Sequence, residues 1–184
     1  MQAATLAVGG LLGLVPAAAG LIVFLDPLRR RKRTDGLVRV APLDGVPADG
    51  VPRRFSILAA REDAWNRLPL HPVGGVYLRR EPGSDGVEAH NAVCPHAGCF
   101  VNYQEQAGCF RCPCHNSRFA RNGDRIDPER CPSPRALDAL TTEIRERRDL
   151  EGRPLLGPDG RPRLEVWVRF QNFRAGTPAK IALE

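Results

Sequence analysis

Two short boxes of cysteine and histidine constrain this 184-residue chain more than any other feature. Each box has a cysteine and a histidine at ligand spacing and a second cysteine nearby: Cys94-Pro95-His96-Ala97-Gly98-Cys99 and Cys112-Pro113-Cys114-His115-Asn116-Ser117. Thiolate and imidazole ligands suit iron–sulfur clusters and also suit zinc, so ligand chemistry alone leaves both candidates. A zinc finger has its two cysteines together and then its two histidines together. Because each box mixes the two ligand types, the spacing favours a dinuclear centre between two facing loops.

The two boxes resemble those of the Rieske family, which read C-x-H-x-G-C and C-x-C-H-x-S. The resemblance implies a 2Fe–2S cluster in which two histidines replace two cysteines on one iron. It assigns two cysteines and two histidines as metal ligands: Cys94, His96, Cys112 and His115. It also implies that Cys99 bonds Cys114 and that the Ser117 hydroxyl donates to a bridging sulfide. A structural zinc site is the alternative, and it would leave Cys99 and Cys114 without a role.

A third motif and two departures from the family pattern refine this interpretation. Pro132-Ser133-Pro134 resembles the proline loop that covers the cluster from the side opposite the boxes. Phe119 stands where high-potential relatives carry a tyrosine that donates to a ligand sulfur. Such hydrogen bonds stabilise the reduced cluster, and phenylalanine cannot make this one. We therefore expect a reduction potential below that of relatives with the tyrosine, and we favour menaquinol as the electron donor. Asn116 replaces the usual glycine after the second histidine, and asparagine tolerates left-handed backbone angles.

Two further cysteines lie outside the four expected of the family. Cys131 replaces the glycine at the start of the proline loop, and Cys109 precedes the second box. The pair could form a second disulfide that ties the proline loop to the second box. A pair of buried free thiols is the alternative, and the sequence favours neither of the two.

The amino-terminal segment is the second strong signal. No charged residue occurs from 3 to 25, and about 23 helical residues at 1.5 Å each match the hydrocarbon thickness of a bilayer. We predict an uncleaved transmembrane anchor over 1–28, because the basic leading region of a secretory signal is missing. The basic run 29–33 favours a cytoplasmic location for the domain beyond it. The family resemblance implies the opposite, and we adopt that topology: a single pass in a bacterial-type cytoplasmic membrane, with the cluster domain on the outer side.

Composition bears on the rest of the chain. The formal net charge is +6, and residues 29–33 supply five of the positive charges, so a nucleic-acid surface is not expected. Short apolar runs among 18 glycines and 17 prolines predict many short strands. We therefore predict an all-β fold: a basic flank and tether over 29–52, then an antiparallel base over 53–184 with a cluster-binding subdomain inserted at about 90–138.

Individual strand pairings can also be predicted. Residues 74–80 and 87–93 should form a hairpin that leads the chain into the first box. Residues 136–145 are expected to return to the base as one strand. Residues 164–170 should pair with 155–156 across the turn at 157–160.

Taken with the resemblance, these features predict the membrane-anchored iron–sulfur subunit of a quinol–cytochrome c oxidoreductase of the cytochrome bc type. Such a subunit is the electron-transfer part of an enzyme complex, and its expected partners are quinol, cytochrome b and a c-type cytochrome. His115 is the residue expected to take a hydrogen bond and a proton from quinol. The alternative is the small Rieske subunit of another oxidoreductase, such as arsenite oxidase. A third class is non-catalytic: a redox or iron sensor, or a zinc-stabilised binding module.

Overall fold

The computed structural model of the chain describes residues 2–29, 36–62 and 67–183. These residues contain one α-helix and ten β-strands in chain order: α1 Gln2–Arg29, β1 Leu37–Pro42, β2 Arg53–Glu62, β3 Arg67–Arg79, β4 Glu88–Asn91, β5 Asn102–Gln104, β6 Cys109–Arg111, β7 Arg118–Phe119, β8 Ala139–Leu140, β9 Thr142–Glu146 and β10 Leu164–Arg169. The helix lies in one compact unit of the chain, and the two boxes lie in the other. The predicted β-rich fold is confirmed.

The amino-terminal prediction has two parts with different outcomes. Residues 2–29 do form a helix, and its large apolar side chains from Leu12 to Phe24 are exposed, between 53% at Val23 and 77% at Phe24. The membrane-spanning part is not confirmed, because no helix in the described part of the chain has the length and hydropathy needed to cross a bilayer.

The base of the molecule is built from two antiparallel sheets. One has the strand order β1-β10-β9 and the other the order β2-β3-β4-β8. Residues two apart on a strand point to the same face of its sheet. Val76 and Leu78 of β3 and Val166 and Val168 of β10 are all fully buried in one shared core. The base therefore gives the boxes a rigid support.

A third, smaller sheet carries the second box. Its order is β5-β6-β7, and its inward face contributes Phe110 and Phe119, neither of which is exposed to solvent. These rings belong to a second buried cluster that also contains Cys94 and Cys112. This small core lies directly behind the boxes, while the bounds of the inserted subdomain stay a prediction.

The predicted strand pairings have mixed outcomes. The hairpin into the first box is confirmed, since β3 pairs antiparallel with β4 from Val76–Asn91 to Arg79–Glu88. The partner predicted for residues 164–170 was wrong, because β10 pairs with β1 and β9 instead. Residues 155–156 pair across the predicted turn with 162–163 instead, through the isolated bridge of Leu156 with Pro162 and the Arg163 N–H, which donates to the Leu155 carbonyl at 2.8 Å. Residues 136–145 form two short strands, β8 and β9, rather than one.

Part of the predicted tether is ordered. Residues 37–42 form β1, an edge strand of the base that pairs with β10 through five residue pairs. Residues 30–35, which hold most of the basic run, lie outside the described residues.

Candidate metal centre

The first box is a tight loop that follows β4. The Cys94 N–H donates to the Cys99 carbonyl at 2.7 Å, and the Gly98 N–H donates to the Cys94 carbonyl at 3.0 Å. Gly98 has a φ of 81°, in the left-handed region that glycine adopts without strain. The loop thereby directs the side chains of Cys94 and His96 into one space.

The second box is a matching loop between β6 and β7. The Cys112 N–H donates to the Ser117 carbonyl at 2.9 Å, and the Asn116 N–H donates to the Cys112 carbonyl at 3.1 Å. Asn116 has a φ of 61°, the left-handed conformation expected where the family has glycine. Its side chain has a further contact, because Arg111 Nε donates to Asn116 Oδ1 at 2.7 Å.

A disulfide joins the two loops. Cys99 and Cys114 are bonded, as predicted, and they lie 15 residues apart in sequence. The Cys112 sulfur lies within 4.8 Å of both disulfide sulfurs. Because Cys99 and Cys114 bond each other, these three sulfurs do not form a metal site of their own. They are a disulfide packed beside one predicted ligand.

The four predicted ligands are brought together as two pairs. Cys94 and Cys112 are buried, and their thiols lie within hydrogen-bonding reach of each other. The His96 and His115 rings lie 4.6 Å apart between centroids, nearly perpendicular, and His115 is exposed. The pairs give the site a buried sulfur side and a histidine side that reaches solvent.

The unsatisfied polar atoms fit a metal cluster held at this point. His96 Nδ1 and Ser117 Oγ are buried without a hydrogen-bond partner among the described residues, and such orphaned groups are costly. Burial, together with the neighbouring Cys112 thiol, raises the pKa of the Cys94 thiol to about 11. The backbone N–H of His96 and the nearby Ser117 side chain partly oppose this rise. A bound metal reverses this balance and holds cysteine as thiolate. Two thiolates, two imidazoles and a hydroxyl donor are the set that a histidine-ligated 2Fe–2S cluster uses.

The proline loop contacts the strand that comes after the second box. The Cys131 thiol donates to the Arg118 carbonyl at 3.7 Å, and Ser133 is buried, with its carbonyl accepting from Arg125 at 3.2 Å. Cys109 and Cys131 are both free thiols. Of the two open possibilities, the second disulfide is therefore not formed.

The support that sequence reasoning missed comes from the carboxyl-terminal segment. The Gly176 N–H donates to the Pro95 carbonyl at 2.9 Å, inside the first box. Arg135, beyond the proline loop, makes a buried bidentate pair with Asp138 at 2.9 and 2.8 Å and donates to the Thr177 carbonyl at 2.6 Å. The only signal in the sequence was an Arg and an Asp three residues apart near apolar residues. Residues 176–177 thus connect both sides of the site.

The comparison with known families decides what this site is. Residues 50–141, half of the chain, match the Rieske [2Fe-2S] domain. The chain belongs to the Rieske family. The cofactor of this Rieske domain is a 2Fe–2S cluster, and the zinc alternative is set aside.

Relatives of this Rieske chain include iron-sulfur subunits of cytochrome b6-f complexes. It is 33% identical over 114 residues to the cytochrome b6-f complex iron-sulfur subunit of Synechococcus sp. strain JA-3-3Ab, an alignment that covers 61% of this chain and 64% of the relative. The chloroplastic cytochrome b6-f complex iron-sulfur subunit of Bigelowiella natans is 38% identical over 68 residues, which cover 37% of this chain and 24% of that one. The matched part thus spans less than two thirds of either relative.

Two solved structures resemble the Rieske chain more loosely. The cyanobacterial plasma membrane Rieske protein PetC3 from Synechocystis PCC 6803 has a TM-score of 0.40 at 23% identity, covering 70% of this chain and 97% of that one. A hyperthermophilic respiratory Complex III has a TM-score of 0.42 at 18% identity, covering 76% and 93%.

Proposed function

We propose that this chain is the iron–sulfur subunit of a membrane quinol–cytochrome c oxidoreductase of the cytochrome bc type. The observation that carries the proposal is the asymmetry of the site: both cysteines are buried, while the paired histidines reach the surface at His115. A small redox partner can contact the histidine side without opening the protein. The relatives of the chain, subunits of cytochrome b6-f complexes, support the same class of function.

Each residue of the centre has its own proposed role in holding the cluster. Cys94 and Cys112 would hold one iron and His96 and His115 the other, with the Ser117 hydroxyl donating to a bridging sulfide. The cluster, when bound, supplies a one-electron acceptor. His96 Nδ1 is buried without a hydrogen-bond partner among the described residues, so it is the nitrogen through which this ring would hold iron.

Water exclusion and proton uptake fall to different side chains. Phe110 and Phe119 are fully buried behind the cysteines, and they keep solvent from the sulfur side. His115 is exposed and accepts a hydrogen bond from the quinol hydroxyl at Nε2, where it takes up the proton as the electron leaves the quinol. His115 is accordingly the proposed catalytic residue.

The surroundings of the subunit are part of the same proposal. Menaquinol is the favoured donor, because Phe119 removes one hydrogen bond that would raise the potential. Cytochrome b and a c-type cytochrome are the proposed partners in the complex. Residues 1–28 would anchor the chain, 29–52 would form the basic flank and tether, and the Rieske domain over 53–184 would face the outer side of a bacterial-type cytoplasmic membrane.

The test is purification of the tagged full-length chain from its native membranes in mild detergent. We expect b-type and c-type haem to co-purify, a rhombic EPR signal after dithionite reduction, and menaquinol-dependent reduction of cytochrome c. A Cys94→Ala variant should lose the EPR signal, whereas the matched Cys131→Ala variant should keep it, since Cys131 is not a proposed ligand.

Other results would identify the competing functions. A molybdenum-containing partner without cytochrome b would replace the proposal with the small subunit of an enzyme such as arsenite oxidase. A loaded cluster that co-purifies with no redox partner would leave only a sensor.

A further inference from the structure

The outer face of the small sheet carries two arginines directly opposite each other. Arg111 on β6 pairs across the strands with Arg118 on β7, and its other neighbour is Asn102 on β5. All three side chains are exposed. Like charges at facing positions destabilise a sheet, so fold stability does not account for this pair.

Neither arginine is neutralised by an acid. In residues 36–62 and 67–183, no carboxylate forms an ion pair with Arg111 or Arg118, and the one acid on the β5–β6 hairpin, Glu105, lies in its turn near Arg53. Several other arginines do pair with a carboxylate, among them Arg39, Arg53, Arg79, Arg135, Arg145 and Arg153. The two arginines are therefore an uncompensated positive site.

The position of this site is beside the exposed histidine. A concavity of about 470 Å³ is lined by Asn102, Gln104 and Arg111 on one side and by Cys114, His115 and Asn116 with Pro113 on the other. A second concavity, of about 210 Å³, shares Gln104, Arg111 and Asn116 and adds Arg118. A protein that fills the concavity beside His115 also contacts Arg111, and the second concavity continues from Arg111 to Arg118.

One arginine is held in place by the box itself. Arg111 Nε donates to Asn116 Oδ1 at 2.7 Å, and no residue in the described ranges accepts a bond from its two terminal nitrogens. Those nitrogens form a planar fork that matches a carboxylate. Asn116 thus acts as a positioning residue for Arg111, a role that glycine at this position could not perform.

We propose that Arg111 and Arg118 form a docking surface for an acidic redox protein, one that carries carboxylates around the exposed edge of its own cofactor and takes the electron at His115. The proposal rests on the electron-transfer function argued above. Charge complementarity favours this occupant, because two unpaired guanidinium groups attract carboxylates and steer a protein partner toward the histidine. We call residues Arg111, Arg118 and Asn116 the arginine site.

The test measures electron transfer from the reduced, full-length, cluster-loaded protein to an oxidised acidic c-type cytochrome by stopped flow at increasing ionic strength. The wild-type rate should fall steeply with salt. R111Q/R118Q should lower the low-salt rate by about tenfold and flatten the salt dependence. The matched control R163Q/R169Q removes two exposed arginines of the base that also form no ion pair within the described ranges, and it should behave like the wild type. Unchanged EPR spectra would show that each variant keeps its cluster.

A second comparison isolates Asn116. Asn116→Gly keeps a residue that adopts the left-handed backbone but removes the acceptor for Arg111. It should lower the low-salt rate with the acidic cytochrome, and it should have no further effect in the R111Q background. A basic c-type cytochrome should react with R111Q/R118Q at least as fast as with the wild type.

Several results would overturn the docking surface. Equal electron-transfer rates for R111Q/R118Q and the wild type would refute the docking surface. An equal loss of rate in R111Q/R118Q and in the control variant would show that the net charge of the protein is the cause. Competition by inorganic phosphate at constant ionic strength would instead indicate a small-anion site. Calorimetric measurement of binding to the reduced cytochrome separates the two proposals. Binding that depends on the arginines but gives no electron transfer would refute the proposed function alone. Electron transfer that does not depend on the arginines would refute the docking surface alone.

Discussion

Phe119 is the single residue whose identity should set the electron affinity of the centre. It is fully buried in the cluster that contains Cys94 and Cys112. We expect Phe119→Tyr to raise the reduction potential by on the order of tens of millivolts, because a hydroxyl there donates to a ligand sulfur. Protein-film voltammetry measures the shift. Phe110→Tyr adds the same atom elsewhere in the buried cluster and serves as the control, so equal shifts in both variants would contradict this explanation.

His90 should make the fold sensitive to mild acid. It is 5% exposed on β4, and burial lowers its pKa below the ordinary value. The unfolded chain therefore takes up a proton near pH 6.5 that the folded chain resists until a lower pH, so stability is lost as the pH falls through this window. Thermal melts at about pH 7.5 and 5.5, on either side of the ordinary histidine pKa, should show a smaller acid-induced drop in Tm for His90→Gln than for the wild type. Equal drops would refute the assignment.

At this scale the sequence predicted the boxes well because their chemistry is local. The spacing of cysteine and histidine within a few residues was enough to predict the disulfide and the 2Fe–2S cofactor through the family resemblance. The arginine site could not be predicted. It depends on the register of β6 against β7, which places Arg111 opposite Arg118, and a one-residue slip would place each side chain on the other face.

The disulfide between the two loops should be the main element-scale contribution to their stability. Cys99→Ser/Cys114→Ser opens a loop of 15 residues, for which the chain-entropy estimate is about 3 kcal/mol. Urea unfolding of the cluster-loaded proteins should show this loss as a lower midpoint. Cys131→Ser removes a half-exposed free thiol and should leave the midpoint nearly unchanged. Equal midpoints for the disulfide variant and the wild type would rule out the clamp.

The carboxyl-terminal segment should retain iron in the finished site. Deleting residues 174–183 removes the hydrogen bonds from Gly176 to Pro95 and from Arg135 to Thr177. We expect iron loss to a chelator to become several-fold faster while far-UV circular dichroism changes little. Lys180→Gln removes the hydrogen bond from Lys180 Nζ to the Ala139 carbonyl but keeps the residues of both contacts, and it is the control. The same rate of loss in the deletion and in this control would show that the two contacts do not matter.

Strand pairing was only partly predictable, and the failure has a physical cause. The β3–β4 hairpin joins neighbouring segments and was predicted correctly. Residues 155–156 lie among Pro154, Pro158 and Pro162, which lack the N–H groups that a ladder needs. β10 therefore pairs with the distant β1 and with β9, and no local pattern in the sequence specifies that choice.

At the scale of the whole molecule, the amino-terminal unit should decide where the chain resides. We expect the full-length chain in the membrane fraction after carbonate extraction, and residues 36–184 in the soluble fraction with the cluster EPR signal intact. The exposed apolar side chains of α1 are the reason for this expectation. A full-length chain that is extracted by carbonate would refute the anchor. Loss of the cluster signal in 36–184 alone would instead refute the separate Rieske domain.

Net charge illustrates what composition can and cannot reveal about the whole chain. Outside the basic run the charges nearly balance, which disfavours a broad nucleic-acid surface. A chain whose total charge is balanced can still carry a local excess of positive charge where no acidic residue lies nearby. The arginine site is such an excess, and only the folded arrangement reveals it.

The hydrogen bond from Gly176 to Pro95 also sets an order of events during synthesis. The first box leaves the ribosome before Gly176, its partner in the carboxyl-terminal segment, because Gly176 lies much later in the chain. A nascent chain thus cannot yet offer a fully braced pocket to an iron–sulfur carrier. A ribosome that stalls before Gly176 would leave the first box without this hydrogen bond.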